Sequence, residues 1–149
     1  MIFNNKEDFL KNCPNGRLIG LDVGTKTVGI AITDDTRTIP LPVETLMRKG
    51  NKKDFPILIE MFKKKKIAGV VIGLPLSFDG SDNDISLFIR RFADNLAKEV
   101  DIPMILQDER LSSFAAEDLM LDEIGSNGTK KVVDKIAASY ILESFLNEK

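Results

Sequence analysis

The order of the apolar segments constrains the fold of this chain more than any other feature of its sequence. Three strand-like segments follow one another through short turns, at residues 17–23, 28–33 and 38–46. Strands joined by short turns pair antiparallel, whereas strands reached through a helix pair in parallel. The later predicted elements are a helix at 54–65, a strand at 67–72, a helix that Asp82 or Asn83 caps and that runs to about residue 100, a strand at 104–107, a short helix after Ser112 or Ser113, and a helix at 130–146. The pattern predicts an α/β fold with a mixed five-stranded sheet and helices packed on it.

The length of 149 residues fits one domain with one hydrophobic core. A short leading helix is predicted at 3–12, and Pro14 ends it. We therefore divide the chain into an N-terminal extension at 1–16, without an assigned role, and a single domain at 17–149. Pro40 and Pro42 remove two backbone donors from the same side of the third strand, which predicts an edge strand.

The composition excludes several classes of site. The chain has no histidine and one cysteine. This rules out Ser-His-Asp and Cys-His nucleophiles, zinc sites with histidine or several thiolates, and an internal disulfide. No apolar run approaches the ~20 residues that span a membrane, and the first residues do not form a secretory signal. We predict a cytoplasmic protein without a membrane segment, in which any hydrolysis depends on carboxylates and hard metal ions.

Asp22 is the first candidate for chemistry, because it lies inside the apolar strand 17–23. An unpaired carboxylate there would cost several kcal/mol, so it needs a partner, a metal ion or water at the sheet surface. The alternative is an acid that caps the turn before Gly24, but Asp22 precedes the clear end of the strand.

Two further acidic positions follow the same logic. Asp108 and Glu109 stand with Arg110 at the end of the last predicted strand, where α/β sheets place ligands, although a structural salt bridge through Arg110 explains them equally well. Asp134 shares its helix face with apolar side chains and should point toward the sheet. A first-turn acid favoured by the helix dipole is the alternative there, but it does not explain the inward direction.

Three carboxylates from two strands and one helix can converge on one point. Such a group repels itself unless a cation binds in it. Oxygen ligands favour Mg²⁺ or Mn²⁺, and two such ions can clamp the attacking and leaving oxygens of a phosphoryl displacement.

Lys130 and Lys131 stand at the predicted start of the last helix, where the helix dipole disfavours cations. Their position suggests a bound anion such as a phosphate. Two solvated lysines after a loop are an equally good explanation.

With these residues in place, the chain resembles the YqgF/RuvX family of ribonuclease H-like proteins over about 17–146. Processing of pre-16S ribosomal RNA and resolution of Holliday junctions have both been attached to this family. Four segments carry the resemblance in order: GLDVGTKTVGIA at 20–31, VIGLP at 71–75 with Gly80, DERLSS at 108–113 and DKIAA at 134–138. Family members usually have Thr at one of the positions held here by Ser112 and Ser113, which is a conservative departure.

The resemblance implies a metal-dependent nuclease that hydrolyses phosphodiester bonds in the 5′-end maturation of pre-16S ribosomal RNA. A Holliday-junction resolvase is the alternative, and RNA is favoured over a DNA junction as the partner. The residues predicted to act as both catalytic groups and ligands of Mg²⁺ or Mn²⁺ are Asp22, Glu109 (rather than Asp108) and Asp134. The predicted substrate-binding residues are Lys26, Arg110, Lys130 and Lys131.

Two other classes of protein compete with this interpretation. A nucleotide-phosphate transferase of the actin and sugar-kinase superfamily would share the fold and the Asp22–Thr25 turn. Such proteins need a second lobe, for which 149 residues leave no room, and the Gly-rich phosphate loop that ends in Gly-Lys-Ser/Thr is absent. A non-catalytic RNA-binding module is the second competitor, and the retention of all three acids argues against it.

Overall fold

The computed structural model of the protein describes residues 1–110 and 127–148, with the side chains of the last helix from Val132 onward. The elements in these residues are β1 (Ile2–Phe3), α1 (Lys6–Asn12), β2 (Arg17–Val23), β3 (Thr27–Thr33), β4 (Pro40–Met47), α2 (Asn51–Lys64), β5 (Ile67–Leu74), α3 (Asp84–Ala97), β6 (Met104–Asp108) and α4 (Asn127–Asn147). The short helix predicted after Ser112 or Ser113 lies outside the described residues. No helix in the described part of the chain is long and apolar enough to cross a membrane.

The strands form one mixed sheet in the order β1-β6-β5-β2-β3-β4. As predicted, β2, β3 and β4 form an antiparallel meander, and β5 and β6 pair in parallel beyond β2. β4 lies at the edge of the sheet, as its two prolines predicted. The α/β fold is therefore confirmed.

The strand count was wrong by one, because the described sheet has six strands rather than five. The additional strand is β1, which pairs in parallel with β6 through Ile2 and Met104. The predicted leading helix at 3–12 starts later, at Lys6, because the Asn5 side chain caps it by accepting a hydrogen bond from the Asp8 backbone N–H at 2.8 Å. A strand of two residues is too short to show a periodic pattern.

Helices cover both faces of the sheet, which explains why the central strands are mostly apolar. On one face, α2 and α3 pack aromatic and aliphatic side chains against β2, β3 and β5, including Phe55, Leu58 and Phe92. On the other face, α1 and α4 contribute a second cluster that includes Phe9, Leu142 and Phe145.

Three glycines allow α4 to approach the sheet more closely than a side chain would permit. A Cβ on Gly29 would overlap the backbone carbonyl of Asp134, and one on Gly73 would overlap the Ile141 side chain. A Cβ on Gly20 would lie 2.6 Å from Cγ of Leu142. These contacts determine where α4 crosses β3, β2 and β5.

Candidate active site

Asp22 lies near the carboxyl end of β2 and is paired in register with Gly29 of β3. Side chains alternate between the faces of a strand, so Asp22 shares a face with Gly20, which contacts α4. The carboxylate of Asp22 therefore stands on the α4 side of the sheet, where the residue is half-buried.

Asp134 approaches the same position from α4. Its backbone lies directly over Gly29, and its side chain is buried, as the apolar neighbours on its helix face predicted. The Thr27 hydroxyl donates a hydrogen bond to Oδ2 of Asp134. Asp22 and Asp134 thus flank the same glycine, beside the turn between β2 and β3.

Glu109 follows β6 directly, and its backbone N–H donates to the carbonyl oxygen of Leu74 at 3.0 Å. The Ser144 hydroxyl donates to its carboxylate, whereas Oε1 is buried without a hydrogen-bond partner. Burial raises the pKa of Glu109 from its ordinary 4.5 to about 7, with smaller contributions from the negative charges of Asp108 and Glu148 and an opposing one from Ser144.

The described conformation separates Glu109 from Asp134, so the three acids do not form one group. Its partner Ser144 follows Asp134 by ten residues of α4, which is ~15 Å along a helix axis. Ile141 packs over Gly73 between these two regions. Within 1–110 and 127–148, no three Asp, Glu or Cys side chains form a group that could hold a metal ion.

Arg110 pairs with Asp108 rather than with Glu109. Its Nε lies 2.8 Å from Oδ2 of Asp108, and its guanidinium also donates to the carbonyl oxygen of Phe78 at 3.3 Å. The salt bridge considered as an alternative function of Arg110 therefore exists, and it engages Asp108 while leaving Glu109 to Ser144. Both side chains of the pair are about half exposed.

The predicted substrate-binding lysines belong to the segments that carry Asp22 and Asp134. Lys26 is exposed in the turn that follows Asp22, and its carbonyl oxygen accepts from the Arg48 backbone N–H at 2.9 Å. Lys130 and Lys131 are the fourth and fifth residues of α4, which begins three residues before its predicted start. Their side chains lie outside the described part of the chain.

A buried ion pair behind this turn was not predicted from the sequence. Arg48 Nε lies 3.1 Å from Oδ2 of Asp54, and the two side chains are 8% and 1% exposed. The Arg48 guanidinium also donates to the carbonyl oxygen of Gly24 at 3.3 Å and packs over the Phe92 ring. It therefore connects the turn after Asp22 to α2 and α3. No periodic pattern in the sequence marks these two residues as partners.

Comparison with solved structures identifies the class of fold. T. thermophilus RuvC in complex with a Holliday junction substrate superimposes with a TM-score of 0.54 at 13% identity, covering 87% of this chain and 93% of that one. The fowlpox virus resolvase in complex with Holliday junction DNA gives 0.50 at 12% identity, with 88% and 99% covered. The fold is that of the ribonuclease H-like resolvases, as predicted.

The chain belongs to the RuvX family. The family model described as "RuvX: Holliday junction resolvase" matches residues 16–148. A protein of Zymomonas mobilis is 42% identical over 133 residues, which are 89% of this chain and 81% of that protein. One of Rhodobacter capsulatus is 39% identical over 149 residues, with 99% and 94% covered. Both carry the name of a candidate pre-16S rRNA nuclease. The predicted family and the predicted class, a nuclease, are confirmed.

Proposed function

We propose that this protein is a metal-dependent nuclease that hydrolyses a phosphodiester bond of the 16S ribosomal RNA precursor during maturation of its 5′ end. One observation carries the proposal: Glu109 Oε1 is a buried carboxylate oxygen without a hydrogen-bond partner, at the carboxyl end of a parallel strand. A carboxylate oxygen that is buried without a partner costs stability, so its presence points to a function that needs it. The names of the relatives support ribosomal RNA as the substrate.

We propose Asp22, Glu109 and Asp134 as the ligands of Mg²⁺ or Mn²⁺. The donor set fits these ions, because all the donors are carboxylate oxygens and the chain has no histidine. When bound, the ions would lower the pKa of a water molecule and neutralise charge on the phosphate. Because Ser144 lies ten residues along α4 from Asp134, we propose that the Glu109 carboxylate leaves Ser144 when it joins Asp134 at a bound ion.

The other residues of the site orient the acids and bind the nucleic acid in this proposal. The Thr27 hydroxyl holds Asp134 in one orientation by donating to it. Lys26, Arg110, Lys130 and Lys131 are the proposed contacts to backbone phosphates, which fix the register of the strand without reading its sequence. We propose a cytoplasmic location, because the 16S ribosomal RNA precursor is the proposed substrate and because Cys13 is a free, buried thiol.

The test compares two substrates side by side, a pre-16S ribosomal RNA fragment and a four-way DNA junction, each with Mg²⁺. We expect the RNA to be cut, and Asp22→Asn to abolish the cleavage. The matched control is Asp35→Asn, because Asp35 is exposed in the turn after β3 and should leave cleavage unchanged.

Two outcomes would change the conclusion. Cleavage of the junction alone would favour the resolvase alternative, which the description of the family model supports. In the second outcome, the protein binds RNA, cuts neither substrate, and binds RNA equally well as Asp22→Asn. That result would indicate a non-catalytic RNA-binding module.

A further inference from the structure

Phe78 is a feature of the described surface that the candidate active site does not explain. Its side chain is 80% exposed, more than any other large hydrophobic residue in the described part of the chain. A single exposed apolar residue is common on protein surfaces and needs no explanation by itself. The surroundings of Phe78 decide whether it has a function.

The loop that carries Phe78 joins β5 to α3 and holds its shape through its own hydrogen bonds. The Ser77 and Gly80 backbone N–H groups donate to the carbonyl oxygens of Ser81 and Ser77 at 3.0 and 2.9 Å. The Asn83 side chain donates to the Pro75 carbonyl oxygen at 2.9 Å and also caps α3. The aromatic ring is therefore presented to solvent from a loop anchored at both ends.

The loop stands beside the candidate active site. It leaves β5 at Leu74, whose carbonyl oxygen accepts the Glu109 backbone N–H at 3.0 Å. The Arg110 guanidinium donates to the Phe78 carbonyl oxygen at 3.3 Å. It also lies against Gly80, where a Cβ would come within 2.9 Å of it. The backbone of Phe78 thus binds a planar cation, and its loop begins at the residue that accepts the backbone N–H of a proposed catalytic acid.

We propose that Phe78 stacks one unpaired base of the nucleic acid beside Glu109, while Arg110 binds the adjoining backbone phosphate. The inference rests on the proposed function, since it assumes that nucleic acid is the ligand. An exposed ring on a residue whose backbone carbonyl binds a guanidinium fits a nucleotide, which offers a flat apolar base and an anionic phosphate a few ångströms apart. Every base has a π face, so this site selects unpaired nucleotides rather than a particular sequence. A base inside an intact duplex is already stacked and cannot use it.

The chain has no tryptophan, so Phe78→Trp introduces a single fluorescent reporter at the proposed site. The probe is a single-stranded RNA of about twelve nucleotides, added in the presence of EDTA so that binding is observed without cleavage. We expect the tryptophan emission to be quenched on binding. The matched control is Leu41→Trp, because Leu41 is 57% exposed on β4, at the opposite edge of the sheet. Its emission should not change.

Affinity provides the second measurement. Phe78→Ala and Phe78→Leu should weaken binding of the single-stranded RNA by about 5- to 150-fold, whereas Phe78→Tyr should retain it. Blunt duplex RNA should bind all four proteins equally. Because Phe78 is exposed, the melting temperature should not change in any variant.

Equal quenching of both tryptophan reporters, or wild-type affinity of Phe78→Ala, would overturn the stacking site. These results are independent of cleavage. Quenching at residue 78 in a protein that cuts no substrate would refute the nuclease and leave the stacking site in place. Cleavage by a Phe78→Ala variant with wild-type affinity and rate would support the nuclease and refute the stacking site.

Discussion

Replacing Gly29 by alanine tests whether the close contact between α4 and β3 positions Asp134. A Cβ at residue 29 would overlap the carbonyl oxygen and carbon of Asp134, and it would lie 3.0 Å from the Lys135 nitrogen. Ordinary contact needs a separation of about 3.5 Å, so the helix must move outward by roughly 1 Å. Because backbone rather than a side chain must move, we expect a cost of about 3 kcal/mol, at the upper end of the range for overpacking.

The matched comparison is Gly73→Ala, whose Cβ would meet the flexible end of the Ile141 side chain instead. A rotamer change can relieve that contact, so we expect a cost of about 1 kcal/mol. For a chain of this size, the melting temperature should fall by about 6–12 °C for Gly29→Ala and by about 2–4 °C for Gly73→Ala. A displacement of 1 Å at the site should also lower cleavage by Gly29→Ala about 100-fold at a temperature where it remains folded. Equal melting temperatures for the two variants would refute the reasoning.

Three more predictions follow from the site and its support. Millimolar Mg²⁺ or Mn²⁺ should raise the melting temperature of the wild type but not that of Asp22→Asn, because binding to the native state alone stabilises it; an equal shift in both proteins would exclude Asp22 as a ligand. Replacing both Lys130 and Lys131 by alanine should weaken RNA binding and reduce the slope of log affinity against log salt by about 1.4 for a single strand, without destabilising the fold; an unchanged affinity at low salt would show that the two lysines are ordinary surface charge. Asp54→Ala should cost about 3–5 kcal/mol in a denaturant melt because it leaves the buried Arg48 unpaired; a loss below 1 kcal/mol would contradict the burial of this pair.

Much of the fold could be predicted because the pattern is local. The central strands lie between two layers of helices, so almost every side chain in them is apolar, and turns mark their ends. The inward direction of Asp134 was also readable, since Ala138, Ile141 and Phe145 share its helix face and all are buried. β1 could not be found in this way, because Ile2 and Phe3 join the sheet through contacts with a strand a hundred residues away.

The candidate site was less predictable, because it depends on non-local packing. The predicted positions of Asp22 and Asp134 follow from the strand and helix that carry them. The partner of Glu109 depends instead on where α4 crosses the sheet and on which rotamer the side chain adopts. An apolar residue in a loop, such as Phe78, cannot be assigned to the surface or the core from the sequence alone.

The conformation of Glu109 makes a prediction about stability and pH. Since its pKa in the folded state is raised from 4.5 to about 7, the folded protein binds this proton more tightly than the unfolded chain does. Stability should therefore fall as the pH rises from 4.5 to 7 and remain lower above that range. A shift of this size corresponds to about 3.4 kcal/mol without solvent screening, and because the carboxylate is partly exposed we expect about 1.5 kcal/mol.

Glu109→Gln keeps the shape and removes the charge, so in EDTA it should melt about 3–6 °C above the wild type at pH 8 and together with it at pH 4.5. The exposed residue Glu60 of α2 provides the control, since Glu60→Gln should show no such pH dependence. Added Mg²⁺ should narrow the gap at pH 8, because only the carboxylate can bind the ion, and a gap of the same size at both pH values would place the cost of burial elsewhere.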